Sequence, residues 1–218
     1  ISNISNDHSQ IIFENLNILS QGKKVEKLIL IFNEFFQKSD EIFTCSLNSG
    51  VIPIFLEILN HHLHGGRNKK KQGLALQAIS NAFIHGNLNQ KLFLVNQNCI
   101  PILCRYLNSK VSDAKTLIMI MDALHSVLQS IKENEEKKGM AIKNNFQGKQ
   151  GQTEQNVKDL KTFLKVIDEA NGFTSLESLQ ESRSKDVYHK TVNFLQNWYV
   201  DQDIHSSKKQ KTNEDEDK

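Results

Sequence analysis

The sequence repeats itself at a fixed interval, and this repetition limits the folds that the chain can adopt. The stretches GVIPIFLEIL and NCIPILCRYL align residue for residue and place Pro53 and Pro101 48 residues apart. The stretches LILIFNEFF and LQAISNAFI give the same interval, because they align Asn33 with Asn81. In the next unit, DALHSVL places Ser126 at the Asn position, 45 residues after Asn81. Two independent markers with one period indicate an array of similar structural units.

The capping residues, glycines and proline within a unit predict three helices. KSDEIFTCSLNSG begins at a Ser/Asp cap and ends at Gly50, where glycine suits a left-handed C-cap. Pro53 falls in the first turn of the second helix, where its missing N–H costs nothing, and the third helix ends at Gly86. A period in the forties of helical sequence is typical of armadillo and HEAT arrays, and three helices per unit favour armadillo. We therefore predict an all-α, right-handed armadillo superhelix of about four repeats, the first one truncated; two helices per unit would instead favour a HEAT-type regulatory subunit.

Shifts in composition divide the chain into units. Residues 133–156 are polar, rich in Gly and Gln, and lack helical periodicity, which predicts mainly a loop or insert. The tail after Asp201 has no core residues and is expected to be disordered. The predicted organisation is a partial armadillo repeat (1–37), two repeats (38–87 and 88–132), the polar insert (133–156), a capping repeat (157–199) and the tail (200–218). Because the sequence begins at Ile1 rather than Met, we expect a fragment or a processed chain.

Composition argues against several classes of protein. The net charge of +2 is too small to favour nucleic-acid binding, and the apolar runs fall short of the roughly 18 residues of a membrane span. No signal peptide is visible, and the three cysteines are too few and too oddly spaced for a disulfide framework or a zinc site. The sequence also has no phosphate-binding loop, nucleophile elbow or H-E-x-x-H motif. We expect a soluble intracellular protein that is not an enzyme and has no cofactor, no metal, no nucleic-acid partner and no membrane partner.

Two long stretches resemble one family. KKKQGLALQAISNAFIHGNLNQKLFLVNQNCIPILCRYL and IDEANGFTSLESLQESRSKDVYHKTVNFLQNWY are similar, in this order, to motifs in the last armadillo repeats of the importin-α nuclear-import adaptors. The acidic EDED near the end also fits that family. The resemblance extends over nearly the whole chain, and the order of the motifs makes it more specific than any single one. It implies a divergent adaptor that binds cargo with nuclear-localisation signals and shuttles between cytoplasm and nucleus.

The resemblance also implies a peptide-binding surface. In this family the third helices line a groove, where an Asn amide can donate to one backbone group of an extended peptide and accept from another. Matched by position, the residues implied for the minor signal-binding groove are Asn33, Asn81, Glu26, Asn3 and Gln77. Gln77 and Ile29 stand where the family has Trp, and Leu74 replaces a Glu, so the lysine-stacking walls are missing. A structural bridge between neighbouring repeats is the alternative role for the Asn pair.

The last repeat resembles the part of the family that an export receptor with Ran-GTP binds for recycling, and that a nuclear-pore basket nucleoporin also binds. The residues matched there are Asp168, Glu169, Glu177, Gln180, Tyr188 and Tyr199. Importin-β is implied as a partner only through the family's N-terminal segment, which is not in this sequence. A second function stays open, namely an armadillo scaffold that binds a different extended peptide and has lost classical signal binding.

Overall fold

A computed structural model describes residues 25–35, 40–63, 69–108, 110, 112–144 and 159–199, and these residues form helices and short connections. The helices are α1 (Val25–Phe35), α2 (Asp40–Ser46), α3 (Ile52–Leu63), α4 (Lys69–His85), α5 (Leu88–Asn96), α6 (Cys99–Tyr106), α7 (Ala114–Asn144), α8 (Leu160–Glu169), α9 (Gly172–Leu179) and α10 (Lys185–Trp198). No strand occurs within these ranges, so the predicted all-α class is confirmed there.

The helices group into units of three. The helices α2, α3 and α4 form one unit, α5, α6 and α7 the next, and α8, α9 and α10 the last, while α1 is the third helix of an incomplete first unit. The third helices pack side by side, α1 against α4, α4 against α7, and α7 against α10. Three helices per unit is the armadillo pattern, so the HEAT alternative does not fit the described residues.

A left-handed residue marks the junction between the first and second helix of every complete unit. Gly50 has φ 78°, Asn98 φ 60° and Asn171 φ 56°. Only Gly, and less readily Asn, adopts this conformation at low cost, because a Cβ atom there approaches the following carbonyl. At the first junction Gly50 lies inside a wide turn, Leu47–Val51, that joins α2 to α3. The left-handed C-cap predicted at Gly50 is therefore confirmed, and Asn98 repeats it 48 residues later.

Replacing Gly50 by Ala is expected to lower the free energy of unfolding by about 1–2 kcal/mol, because alanine is strained at positive φ. Gly73→Ala is the matched control. Gly73 lies exposed within α4, and a Cβ atom there meets nothing within 4 Å. That substitution should stabilise the protein by up to about 1 kcal/mol, because alanine favours the helix. Urea unfolding followed by circular dichroism measures both; a shift of the same sign in the two variants would contradict the assigned conformation of Gly50.

One polar side chain fixes the register between consecutive units. Gln90, which is 3% exposed, forms a reciprocal capping box with Asn87 at the start of α5. Its Nε2 also donates to the backbone oxygen of Asp40 at 3.2 Å and to Oγ1 of Thr44 at 3.0 Å. A buried amide whose partners lie on both units resists sliding of one unit along the other, since a shift would leave buried polar groups unpaired.

The predicted polar insert is wrong over residues 133–144, where α7 continues as a helix to Asn144. A side-chain hydrogen bond joins the extension to the preceding turn, because the Gln129 amide donates to Glu133 at 2.9 Å. Glu135 accepts a 2.8 Å hydrogen bond from the backbone N–H of Leu160, so it caps the start of α8. Apolar periodicity does not reveal this extension, because residues 133–138 include no apolar side chain and are exposed or half-buried. Residues 145–156, the predicted tail at 200–218 and Asn3 lie outside the described residues.

One segment, Phe43–Asn60, is long and apolar enough by composition to cross a membrane, and 44% of it is buried inside the protein. Gly50 interrupts this segment in its middle with its left-handed conformation. The two helices on either side, α2 and α3, have 7 and 12 residues. Each is shorter than the roughly 20 residues that a spanning helix requires, and both contribute to the armadillo core.

Candidate functional site

The two asparagines predicted to bind peptide meet across neighbouring third helices. Asn33 on α1 and Asn81 on α4 are both half-buried, and Nδ2 of Asn81 donates to Oδ1 of Asn33 at 3.3 Å. This distance lies just beyond the usual range for N–H···O bonds, so the bond is weak. It uses one N–H of Asn81 and one lone pair of Asn33, while an amide offers two donors and two acceptor positions. The pair is therefore a bridge between repeats that keeps further hydrogen-bonding capacity.

An ion pair joins the same two helices. Nζ of Lys70 lies 2.7 Å from Oε2 of Glu26, and the two side chains are 74% and 29% exposed. Glu26 precedes Asn33 by seven residues, and Lys70 precedes Asn81 by eleven. Both spacings are close to whole numbers of helical turns, so each pair of residues shares one face of its helix. The two contacts consequently lie along one side of the α1–α4 pair.

The positions where the resembled family has Trp differ from each other. Gln77, one turn before Asn81, is exposed on the same face of α4 as Lys70. Ile29, one turn before Asn33, is 0% exposed and belongs to the core. We call the surface formed by Glu26, Asn33, Lys70, Gln77 and Asn81 the α1–α4 strip. The strip has hydrogen-bonding amides and one ion pair, and none of these five positions holds an aromatic side chain.

Ser126, at the equivalent position of α7, serves as a joint between repeats. Its hydroxyl lies 3.2 Å from the backbone oxygen of Phe83 and 3.3 Å from that of Ile84, near the end of α4. Lys91 donates to the backbone oxygen of Ser126 at 3.3 Å and to the hydroxyl of Ser130 at 2.7 Å. Burial lowers the pKa of Lys91 from its ordinary value, with the charge of Glu133 opposing the shift. In the unit of α5, α6 and α7, the contact between third helices is therefore made through a hydroxyl instead of an amide.

A second ion pair joins the last two third helices. Lys190 on α10 contacts the carboxylate of Asp122 on α7, and both side chains are about one-third exposed (36% and 39%). Asp122 lies 45 residues after Gln77, so it holds the same place in its unit. In both ion pairs the acid belongs to one third helix and the lysine to the next third helix along the chain.

The residues matched to the export-receptor surface lie on the last unit. Asp168, Glu169, Glu177, Gln180 and Tyr188 are exposed, and Tyr188 presents 42% of its surface to solvent. They come from all three helices, α8, α9 and α10, and α9 packs against both of the others. Tyr199 differs, because it is half-buried and its ring packs on Phe173 with centroids 5.2 Å apart. The structure therefore places Tyr199 against the core and the other five at the surface.

Sequence analysis missed a polar contact that attaches the last unit to α7. Nε1 of Trp198 donates to Nδ1 of His125 at 3.0 Å, the two rings pack edge to face, and the ammonium of Lys132 lies 5.7 Å from the Trp ring centroid. Burial and, next, the charge of Lys190 lower the pKa of His125 below its ordinary 6.5, while Asp122 opposes the shift. Trp198 and His125 are separated by 73 residues, so no local motif links them.

Comparisons with known proteins agree with the predicted family resemblance. A family model of an atypical Arm repeat matches residues 161–213. The chain is 28% identical over 141 residues to importin subunit alpha-5 of Arabidopsis thaliana, and 28% identical over 127 residues to importin subunit alpha-8 of the same plant. These matches span 65% and 57% of this chain but only 22% and 24% of the relatives. The predicted resemblance to armadillo repeats and to importin-α subunits is thereby confirmed.

Among solved structures, a designed armadillo repeat protein in complex with the peptide (KR)4 overlaps 90% of this chain and 92% of its own. The identity is 14% and the TM-score 0.45, an overlap too limited to bear on function.

Proposed function

We propose that this chain forms part of a nuclear-import adaptor and that the α1–α4 strip binds the backbone of an extended cargo peptide. The observation that carries the proposal is the Asn33–Asn81 contact, in which two amides from equivalent positions of adjacent repeats meet at one surface. The similarity to importin-α subunits supports the same role. The proposed partners are cargo proteins with nuclear-localisation signals and, through a segment outside this sequence, importin-β. A shuttling life between cytoplasm and nucleus follows from this role, which involves binding and no catalysis.

The chemistry of the strip suits peptide backbone. Each residue of an extended peptide presents one N–H and one C=O, and a single Asn side chain can accept from the first and donate to the second. The 3.3 Å bond between Asn33 and Asn81 is long, so exchanging it for bonds to a peptide costs little. Each new hydrogen bond contributes about 0.5–1.5 kcal/mol net, which makes a pair of such amides a modest but additive source of affinity.

The strip is expected to bind lysine-rich peptides weakly. A cation stacked on an exposed aromatic ring gains about 0.5–1 kcal/mol, and neither Gln77 nor the buried Ile29 supplies such a ring. The acidic residue of the strip, Glu26, is already paired with Lys70. Both observations favour the second candidate function, an armadillo scaffold for an extended peptide other than a classical signal.

Asn81→Ala is expected to weaken binding of an extended peptide about tenfold, because it removes about two hydrogen bonds to the backbone. Fluorescence anisotropy with a labelled lysine-rich signal peptide, and with the same peptide carrying glutamine at each lysine, measures the change. Asn89→Ala is the matched control, since Asn89 is an exposed asparagine on α5 that lies outside the α1–α4 strip. Circular dichroism and urea unfolding establish that both variants are folded.

The outcomes separate the two functions. Loss of affinity for the lysine-rich peptide in Asn81→Ala, with Asn89→Ala unchanged, supports signal binding. Binding of the glutamine peptide alone supports the scaffold. An Asn81→Ala variant that binds every peptide as well as the unmodified protein would remove the proposed role of the strip.

We also propose that the last unit is the recycling surface, where an export receptor with Ran-GTP, or a nuclear-pore basket nucleoporin, binds the adaptor. The supporting observation is that Asp168, Glu169, Glu177, Gln180 and Tyr188 are all exposed on one three-helix unit. Within this group Glu169 lies 3.5 Å from Lys165 in an exposed pair, which contributes little and leaves the carboxylate accessible to a partner.

A further inference from the structure

Two ion pairs between third helices follow one pattern. Glu26 on α1 is paired with Lys70 on α4, and Asp122 on α7 is paired with Lys190 on α10. In each pair a lysine of the next third helix neutralises the acid. An acidic side chain attracts a basic ligand through its uncompensated charge, and a neighbouring ammonium reduces that attraction. On the third helices, lysines of the chain itself therefore already neutralise Glu26 and Asp122.

Glu26 lies where a side chain of a bound peptide would reach it. Asn33 and Glu26 share one face of α1 and are seven residues apart, about 10 Å along the helix axis. A long side chain of a peptide whose backbone is bound at Asn33 and the side chain of Glu26 can together cover this distance of about 10 Å. A peptide lysine would thus approach the carboxylate that Lys70 contacts at 2.7 Å.

We propose that Lys70 is a specificity-determining residue of the α1–α4 strip, because it occupies the Glu26 carboxylate that a peptide lysine or arginine would otherwise bind. A basic peptide must displace the Lys70 ammonium or bind beside it against like-charge repulsion. A peptide with neutral side chains does neither, so the strip prefers an extended peptide that is neutral at this position. This inference rests on the proposed peptide-binding function of the strip.

The preference is a matter of degree, because the ion pair is open to solvent. The Lys70 side chain is 74% exposed, and exposed ion pairs contribute little to stability. The Glu26 side chain, at 29% exposed, is the more buried partner, so its carboxylate attracts a cation more strongly than a fully solvated carboxylate would. Removing Lys70 should therefore leave the fold intact and return Glu26 to the ligand.

Lys70→Met tests the proposal in the full chain. Anisotropy titrations with the lysine-rich peptide should show affinity about three- to fivefold higher than for the unmodified protein, in proportion to a weak exposed pair. Affinity for the peptide with glutamine at each lysine should stay the same. Lys69→Met is the matched control: it changes the net charge equally, and the exposed Lys69 lies about 100° away around α4. It should alter neither affinity by more than the general effect of one charge.

A double variant localises the effect. Glu26→Gln combined with Lys70→Met should abolish the gain for the lysine-rich peptide, because the carboxylate freed by the single substitution is then absent. Equal gains in Lys70→Met and Lys69→Met, or no gain while the peptide still binds measurably, would overturn the role of Lys70 and leave the proposed function intact. If neither peptide binds the unmodified protein or Lys70→Met, both the function and this inference fail.

Discussion

Phe55→Ala is expected to lower the free energy of unfolding by about 3–5 kcal/mol, the cost of truncating a fully buried aromatic side chain. Phe55 on α3 is 0% exposed. Its ring meets that of Phe32 on α1 edge to face with centroids 5.3 Å apart, and Phe32 in turn lies 5.8 Å from Phe43 on α2. These rings join three helices, so alanine at position 55 leaves a cavity where the incomplete first unit meets the first complete one.

The loss should be local as well as large. In an array of repeats each unit contacts only its neighbours, so a defect at one interface loosens the units beside it. Helix α1 carries Glu26 and Asn33, and the substitution should therefore also reduce peptide binding although Phe55 has no place in the α1–α4 strip. Relative to the unmodified protein, amide hydrogen exchange in Phe55→Ala should accelerate more in α1 and α3 than in α8, α9 and α10.

Glu57→Ala is the control for Phe55→Ala, since Glu57 lies two residues further along α3 and is exposed. It should change the free energy of unfolding by no more than about 0.5 kcal/mol. A loss below about 1 kcal/mol in Phe55→Ala, or exchange that accelerates equally in every helix, would contradict the packing described for these rings.

Sequence alone predicted the features that recur with the period. Asn33 and Asn81 hold one position in two successive units, and the three-helix pattern occurs in more than one unit, so one copy identifies the other. The left-handed Gly50 was predicted from its residue type at a helix end. The third-helix position brings Asn33 and Asn81 together in space because adjacent repeats stack in parallel. Asn81 is thus more than a weak helix former in an apolar helix, because its amide joins two repeats at a surface.

Contacts whose partners the period does not relate were not predictable. The Lys70–Glu26 pair spans 44 residues and the Trp198–His125 contact spans 73, and neither span equals the period of 48 or 45 residues in the sequence. Glu26 was matched by resemblance to the signal-binding groove, whereas its ion pair depends on where a lysine of the next third helix projects. The helical stretch after Lys132 was missed for a different reason, since residues 133–138 include no apolar side chain and so no hydrophobic periodicity marks the continuation of the helix.

Trp198→Ala is expected to lower the free energy of unfolding by about 3–5 kcal/mol and to loosen the last unit. Trp198 is 2% exposed, and its indole N–H donates to Nδ1 of His125 at 3.0 Å. Trp198→Phe keeps most of the apolar area and removes the donor, so it should cost less than alanine; part of that cost is the buried hydrogen bond, about 1 kcal/mol. Gln196→Ala, at an exposed position of the same helix, should leave the free energy of unfolding nearly unchanged. A Trp198→Ala variant as stable as Gln196→Ala would show that the last unit does not depend on this contact.

The hydrogen bond to Trp198 also predicts a dependence on pH. It requires an unprotonated Nδ1, and burial together with the charge of Lys190 lowers the pKa of His125 below 6.5 in the folded chain. The unfolded chain therefore binds more protons than the folded chain just below pH 6.5, so this contribution to stability is complete above that pH and declines as the pH falls. Urea unfolding by circular dichroism at pH 7.5 and 5.5 should show this decline in the unmodified protein and a smaller one in His125→Gln. Equal declines in the two proteins would assign the pH dependence to other groups.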